Sequence, residues 1–491
     1  MKTVLHSKRK PAPMMAAWFL ALALPCVSLA TTPPATKKEK PQISQAQAEE
    51  LFQKVKEILQ FASDDTGLAI HHPVERKLAS REQVEQNFDE QVKDDKAAQK
   101  LARSEIVMKK FGLLPRDYDL KSFLEKAQKE QVLGFYRFSD HTMYLLDWVP
   151  PQAQLPVMAH ELTHALQDQA IDLGQFLQES DPPKYEIKET GRQREALLNK
   201  QEEEEVEAEI RDDERVAARD ALLEGQSEVV MIDYVLKSAN QTNLTNPGYV
   251  EELRAGMQDP HGSQLLATAP KVLQEGFTFP YYYGTNFVRE LLVKGGKPMA
   301  YGEALKRPPE TSRQLMEPKT YLGGEKLEQL HLPPLRELLV KRYEKYDVGA
   351  VGEFDVKVML EQFSGTKTAD KLAKEWRGGA YYAARIRNNE KKEAAPPALR
   401  TQDVALFYLS RWSSAEVANR FAAEYAATLP RRYKSVEPVR LGSTNEKLLT
   451  TRWLTEEGPV LIEAHGDEVL ALESFDPEIL EAVRKSVFAS H

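Results

Sequence analysis

"MAHELTHALQDQ", residues 158–169, decides how the chain is read. It places His160 and His164 four residues apart, with Glu161 directly after the first histidine. In a helix, residues four apart project from one face, one turn above the other. Both imidazoles can then reach a single metal ion. Glu161, rotated by about 100° from His160, stands beside the ion, where it can take a proton from an activated water. Met158, Leu162, Ala165 and Leu166 fall on the opposite face and let the helix pack. This is the H-E-x-x-H arrangement of zinc peptidases. The alternative is an ordinary amphipathic helix that carries two histidines by chance, so a third ligand has to be found elsewhere.

One large class of such sites places a third histidine six residues after the second, but that position is Ala170. Another class takes a glutamate from a following helix. "ALLEGQSEVVMIDY", residues 221–234, offers Glu224, with Glu228 one helical turn further on. Glu224 is the candidate third ligand. Glu228 is the candidate acceptor for the far nitrogen of His160, which would fix its tautomer. The bland reading of Glu224 is a solvated carboxylate in a glutamate-rich region. Gly225 speaks against it, because a glycine inside a helix costs about 1 kcal/mol relative to alanine and points to close approach of backbone or substrate. Asp168, one turn beyond His164, is read as bracing the helix. "FPYYYG", residues 279–284, offers Tyr281, Tyr282 and Tyr283 as donors to a developing oxyanion, with hydrophobic packing as the alternative.

Composition bounds the rest. The chain has 491 residues, enough for two or three domains, and its 29% charged and 42% hydrophobic residues suit a soluble globular protein. A net charge of -9 argues against general nucleic-acid binding, which needs a basic footprint. Lys2, Lys8, Arg9 and Lys10 precede an apolar run from Met14 to Leu24, with small residues at Ser28 and Ala30. Residues 1–30 therefore read as a signal peptide, and the mature protein as exported, to the periplasm or outside the cell, with no membrane span left after cleavage. Cys26, the only cysteine, falls within that segment. Any metal site in the mature chain must then use His, Asp or Glu.

Residues 31–44 read as a linker and residues 45–130 as an N-terminal helical region. "VLGFYRFSDHTMYLLDW", residues 132–148, reads as a β-hairpin turning at Ser139, Asp140 and His141. Residues 131–340 form the expected core. Within it, 176–215 reads as a solvated acidic helix or a mobile acidic insertion, 216–236 as an apolar helix, and 275–327 as loops with short helices. Residues 350–491 read as a C-terminal α+β domain in two layers. Its expected strands lie at 381–387, 404–410, 460–464 and 469–472, and its helices at 415–428 and 477–488. No chemical constellation marks that domain: His465 stands alone, and Trp376 and Trp412 read as core.

The pieces together resemble the gluzincins, the thermolysin-like branch of H-E-x-x-H metallopeptidases. More narrowly they are similar to a group of exported bacterial zincin-like proteins. That group carries a "GFY…TMYL" hairpin, "HELTHALQDQ", "ALLEGQSE" and "PPETSRQLMEPKTY". Here these occupy residues 134–145, 160–169, 221–228 and 308–321, and the resemblance covers roughly residues 75–330. It implies an α+β fold: a mostly helical zincin-like core with a small sheet beside the H-E-x-x-H helix. It also implies zinc as cofactor, a peptide or protein as substrate, and an edge strand from the hairpin on which an extended peptide pairs. Two positions depart from the pattern. Leu223 stands where thermolysin-like enzymes have asparagine, which leaves His164 without an identified orienting partner. Glu317 stands where the group often has histidine. The competing reading is therefore a zincin-fold binding module of weak or no activity, against which the intact Glu161 argues.

Overall fold

Ser44 and Gln47 start the first helix. The Ser44 hydroxyl accepts the Gln47 N–H while the Gln47 side chain accepts the Ser44 N–H, and the helix α1 (Gln45–Thr66) closes on Gly67 in the left-handed region at φ 78°. Such a capping box contributes about 1 kcal/mol. The computed structural model describes residues 43–84, 86, 95–180, 185, 187–258, 263–387, 399–439 and 449–488. The expected signal peptide and nearly all of the expected linker lie outside the described residues. Among the described residues, no helix is long and apolar enough to cross a membrane.

The fold is α+β and dominated by helix. After α1 come β1 (Glu75–Ala79), α2 (Asp95–Lys110), α3 (Leu120–Gln131), β2 (Gly134–Arg137), β3 (Thr142–Leu146) and α4 (Pro151–Ile171). Helix α4 carries the opening motif. Residues 157–168 are all buried, so it is enclosed on every side rather than amphipathic. Leu51, Ile58 and Ala62 of α1 share its core with Met158, Leu162 and Leu166. The small sheet beside it has the order β1-β3-β2, with β1 parallel and β2 antiparallel to β3. The expected helical region 45–130 therefore also supplies a strand. Pairing with β1 makes β3 the central strand and leaves β2 at the edge. The hairpin's second strand, with Met143 facing both Arg76 and Tyr136 in register, is not the free one.

Residues 191–236 form one continuous helix, α5 (Gly191–Leu236), which at about 1.5 Å per residue spans about 69 Å. Of the two readings of the acidic stretch, the helix holds over residues 191–215 and the insertion does not. Carboxylates of the stretch are partnered: Glu202 accepts the Tyr382 hydroxyl at 2.9 Å, Glu209 pairs with Lys345 at 2.8 Å, and Glu214 accepts the Ser312 N–H at 2.9 Å. Likewise, part of the expected loop region is helix: α6 (Gly248–Gln258) leads to α7 (Lys271–Lys297), which contains the three consecutive tyrosines.

Helices α5 and α7 cross with their backbones in contact. A Cβ added at Gly225 would sit 2.1 Å from the Gly284 carbonyl carbon, and one at Gly284 would sit 2.0 Å from the Ala221 oxygen. The glycine that looked costly in the sequence is there for helix crossing.

The C-terminal part builds a seven-stranded antiparallel sheet of order β4-β5-β6-β10-β9-β8-β7. Its strands are β4 (Tyr343–Ala350), β5 (Trp376–Ile386), β6 (Val404–Trp412), β7 (Val436–Pro438), β8 (Leu449–Thr455), β9 (Gly458–His465) and β10 (Glu468–Glu473). Along β6, Val404, Leu406 and Tyr408 face one core, while Ala405, Phe407 and Leu409 face another. Both faces need cover. Helices α8 (Glu353–Ser364), α9 (Thr366–Leu372) and α10 (Ala415–Arg432) cover one; α11 (Pro477–Phe488) and Val206 of α5 cover the other. The arrangement has three layers, not the expected two, and begins before residue 350, with β4.

The crossing is open to test. Gly225→Ala should lower the unfolding free energy in urea by about 1–3 kcal/mol through overpacking, although alanine favours helix by about 1 kcal/mol. Unchanged or raised stability would mean that the two helices do not meet there.

Candidate metal centre

Helix geometry puts His160 and His164 on one face of α4, and the α4/α5 packing brings Glu224 up to them. The three donor atoms converge. His160 Nε2 lies 3.0 Å from Glu224 Oε2 and 3.1 Å from His164 Nε2, and His164 Nε2 lies 3.6 Å from Glu224 Oε2. A tetrahedral ion with ligand bonds of about 2.0–2.1 Å needs donors about 3.3 Å apart. Among the described residues this is the one such group of three His, Cys, Asp or Glu side chains, and all three are buried.

The charge balance of the pocket calls for a cation. Burial opposes ionisation of Glu224, but the two histidines outweigh it and hold the carboxyl down at about 2. Burial likewise opposes a proton on His160, yet the Glu224 hydrogen bond, the adjacent Glu228 carboxylate and the charges of Glu224 and Glu161 hold that imidazole well above its ordinary value. Burial raises Glu161, with the two histidines opposing and Glu224 adding to the rise. A cluster with three glutamates around two imidazoles thus attracts positive charge. A divalent ion answers the same demand as the proton on His160.

The tautomer of His164 can be deduced from its neighbours. The Gln167 amide nitrogen donates to the Leu223 carbonyl at 3.0 Å and to Gln226 Oε1 at 2.8 Å. A carbonyl only accepts, so the Gln167 NH2 must face it, and Gln167 Oε1 must face His164 Nδ1, 2.8 Å away. Nδ1 therefore carries the proton, and the Nε2 lone pair points at Glu224 and His160. Gln226 is fixed in the same way, its nitrogen donating to the Ala300 carbonyl at 2.6 Å. Ser227 Oγ also lies 3.2 Å from His164 Nδ1. Gln167 and Gln226 were missed in the sequence. The available signal was spacing: Gln167 falls one turn after His164 and Gln226 two residues after Glu224.

The other candidates are placed as follows. Glu228 Oε2 lies 3.6 Å from His160 Nδ1, just beyond hydrogen-bond length. Glu161 Oε2 accepts the Tyr136 N–H at 2.7 Å, which ties the edge strand β2 to the motif helix. Gly134 makes that approach possible, since a Cβ there would meet Val157 at 2.7 Å. Asp168 braces the same contact: it accepts the Tyr136 hydroxyl at 2.7 Å, lies 2.8 Å from His141 Nδ1, and accepts the Leu173 N–H at 3.0 Å.

The expected oxyanion donors Tyr282 and Tyr283 do not face the centre. Because α7 is helical, successive residues turn by about 100° and only one of the three tyrosines can face the centre. That residue is Tyr281, buried, with its ring centroid 6.3 Å from that of His160. Burial and then Glu224, Asp220 and Glu228 push its phenol well above its ordinary value, so it stays protonated. Tyr282 donates to Glu251 at 2.8 Å beneath Arg254, and Tyr283 packs on Phe279 at 5.3 Å.

A family model described as a domain of unknown function (DUF8575) matches residues 341–484, which is the C-terminal sheet with most of its helices. No curated protein and no solved structure matches the chain. The matched segment excludes every residue of the candidate centre.

Replacing Gln167 by alanine should weaken zinc binding by about 10–100-fold, because the His164 tautomer is no longer held. Competition with a chromogenic chelator measures this. Equal affinity in a folded variant would remove Gln167 from the account.

Proposed function

We propose that the chain is an exported zinc-dependent peptidase. One observation carries the reading: two imidazole nitrogens and a carboxylate oxygen converge within 3.6 Å in a buried site, and the helix that supplies the imidazoles also holds Glu161. His160, His164 and Glu224 would hold the ion and leave a fourth position open. Bound zinc supplies Lewis acidity, which acidifies water and polarises a carbonyl. The protein's own part is proton handling and orientation. Glu161 takes a proton from water and returns it to the leaving amine. Its Oε2 is steadied by the Tyr136 N–H, so the base is fixed relative to the edge strand β2. An extended peptide lying along β2 would then sit next to both the base and the ion site. Tyr281 serves as donor to the developing oxyanion, in place of Tyr282 and Tyr283. Export rests on the basic, then apolar, start of the sequence.

The second reading is a zincin-fold binding module. Glu317 favours it: where the resembling proteins often have histidine, this carboxylate pairs with Lys374 at 3.2 Å. Two measurements separate the readings. Glu161→Gln should keep zinc at wild-type stoichiometry and lose turnover of an unfolded protein substrate by about 10²–10⁴-fold. Zinc in both proteins with turnover in neither would support the binding module. Separately, Tyr281→Phe should lower kcat by about 10²-fold with KM little changed. A rise in KM alone would assign Tyr281 to substrate binding.

A further inference from the structure

One helical turn before Glu224, α5 lines a cavity of about 640 Å³ between α2, α7 and the C-terminal sheet. Its carboxylates are of two kinds. Asp347 and Glu179 are paired, with Arg103 at 3.0 Å and Lys100 at 2.9 Å. Asp213, Glu214, Asp220 and Asp355 also line the cavity. Among the described residues, none of these four has a basic side chain within the 4.0 Å of an ion pair. Asp213 accepts the Ala350 N–H at 3.2 Å, and Asp355 the Gly352 N–H at 2.8 Å; Glu214 accepts from Ser312. Asp220 is 2% exposed, and its Oδ1 has no hydrogen-bond partner. A buried carboxylate left unpaired is costly, and natural proteins keep one mainly where something binds.

Burial, then the Asp355 charge, pushes Glu214 up to about 8; burial pushes Asp213 up to about 7 against the opposing charge of Lys100, and burial pushes Asp355 up to about 6. The cavity is short of cations. The lining does not gather its carboxylates as a compact metal-binding set. Among the described residues, no three of these carboxylates bring oxygens within 4.8 Å of one another. The carboxylates are spread out, and Phe279, Phe354 and Met359 supply apolar wall between them. That suits a cation carried on a methylene stem, with the stem against the wall and the head among the acids.

We propose that this cavity receives the side chain of an arginine or lysine residue of the substrate. Its position supports this. Asp220 lies on α5 one turn from Glu224, and Phe279 and Pro280 of the lining lead directly into Tyr281. Of the lining, Asp220 and Pro280 thus stand toward the candidate metal centre. The proposal rests on the peptidase reading only in that the cation arrives as part of a peptide.

The test uses butylguanidinium and its neutral counterpart butylurea as probes, titrated calorimetrically into the full chain. Butylguanidinium should bind one per chain and butylurea should not. Asp220→Asn and Glu214→Gln, each with a melting temperature at or above wild type, should each weaken binding at least about tenfold. Equal binding of both probes, no binding of either, or unchanged binding in both folded variants would overturn the proposal. So would calcium binding that depends on Asp220 in place of butylguanidinium binding. A peptide library incubated with the zinc-loaded wild type separates this from the peptidase reading. Butylguanidinium binding without cleavage of any peptide leaves the cavity standing and removes the peptidase. Cleavage with no preference for arginine or lysine, and no butylguanidinium binding, does the reverse.

Discussion

The backbone contact between Gly225 and Gly284 is the constraint on which the centre depends. It fixes the depth at which α5 and α7 cross, and side chains next to the crossing inherit that depth. Glu224 precedes Gly225 and is thereby set against the two histidines; Tyr281 lies three residues before Gly284 and is set against His160. A methyl group at either glycine would push the helices apart by a distance comparable to the tolerance of a ligand set. Protein cores are close-packed, so such a shift is not absorbed locally.

The second layer of support is a ladder of amides. Carbonyls of Leu223 and Ala300, which can only accept, orient Gln167 and Gln226, and Gln167 in turn orients His164. Ligand tautomer is thus set by backbone groups of α5 and of the segment following α7. The same side of the centre has Leu223 where the resembling enzymes have asparagine. Here Leu223 contributes its carbonyl, and its side chain packs in the core. The group that orients His164 is Gln167, on α4. On the other side of α4, Tyr136 ties the edge strand to Glu161 through its N–H and to Asp168 through its hydroxyl.

Much of this was legible in the sequence, and the reasons differ by residue. The spacing of His160 and His164 requires one helical face whatever the tertiary structure, so the pair could be read directly. Glu224 was legible through Gly225, a helix-interior glycine that needed a reason. Gln167 and Gln226 were not, because a buried amide and a surface amide look alike until the partners are known. Tyr281 could not be separated from Tyr282 and Tyr283 without knowing that the stretch is helical, and Pro280 argues against helix locally. The density of glutamates hid the continuity of α5. Val206 and Val216 mark a buried stripe, but Glu202, Glu209 and Glu214 find tyrosine, lysine and serine partners on distant segments. The α+β class was legible from the alternating C-terminal strands. The third layer was not, because part of its cover comes from a helix begun about 150 residues earlier.

The account's central claim is that His160, His164 and Glu224 hold one metal ion. Diffraction from zinc-grown crystals, measured on both sides of the zinc absorption edge, tests it most directly. One anomalous peak should lie about 2.0–2.1 Å from His160 Nε2, His164 Nε2 and a Glu224 carboxylate oxygen. A peak elsewhere, or none in this pocket at stoichiometric zinc, would contradict the account.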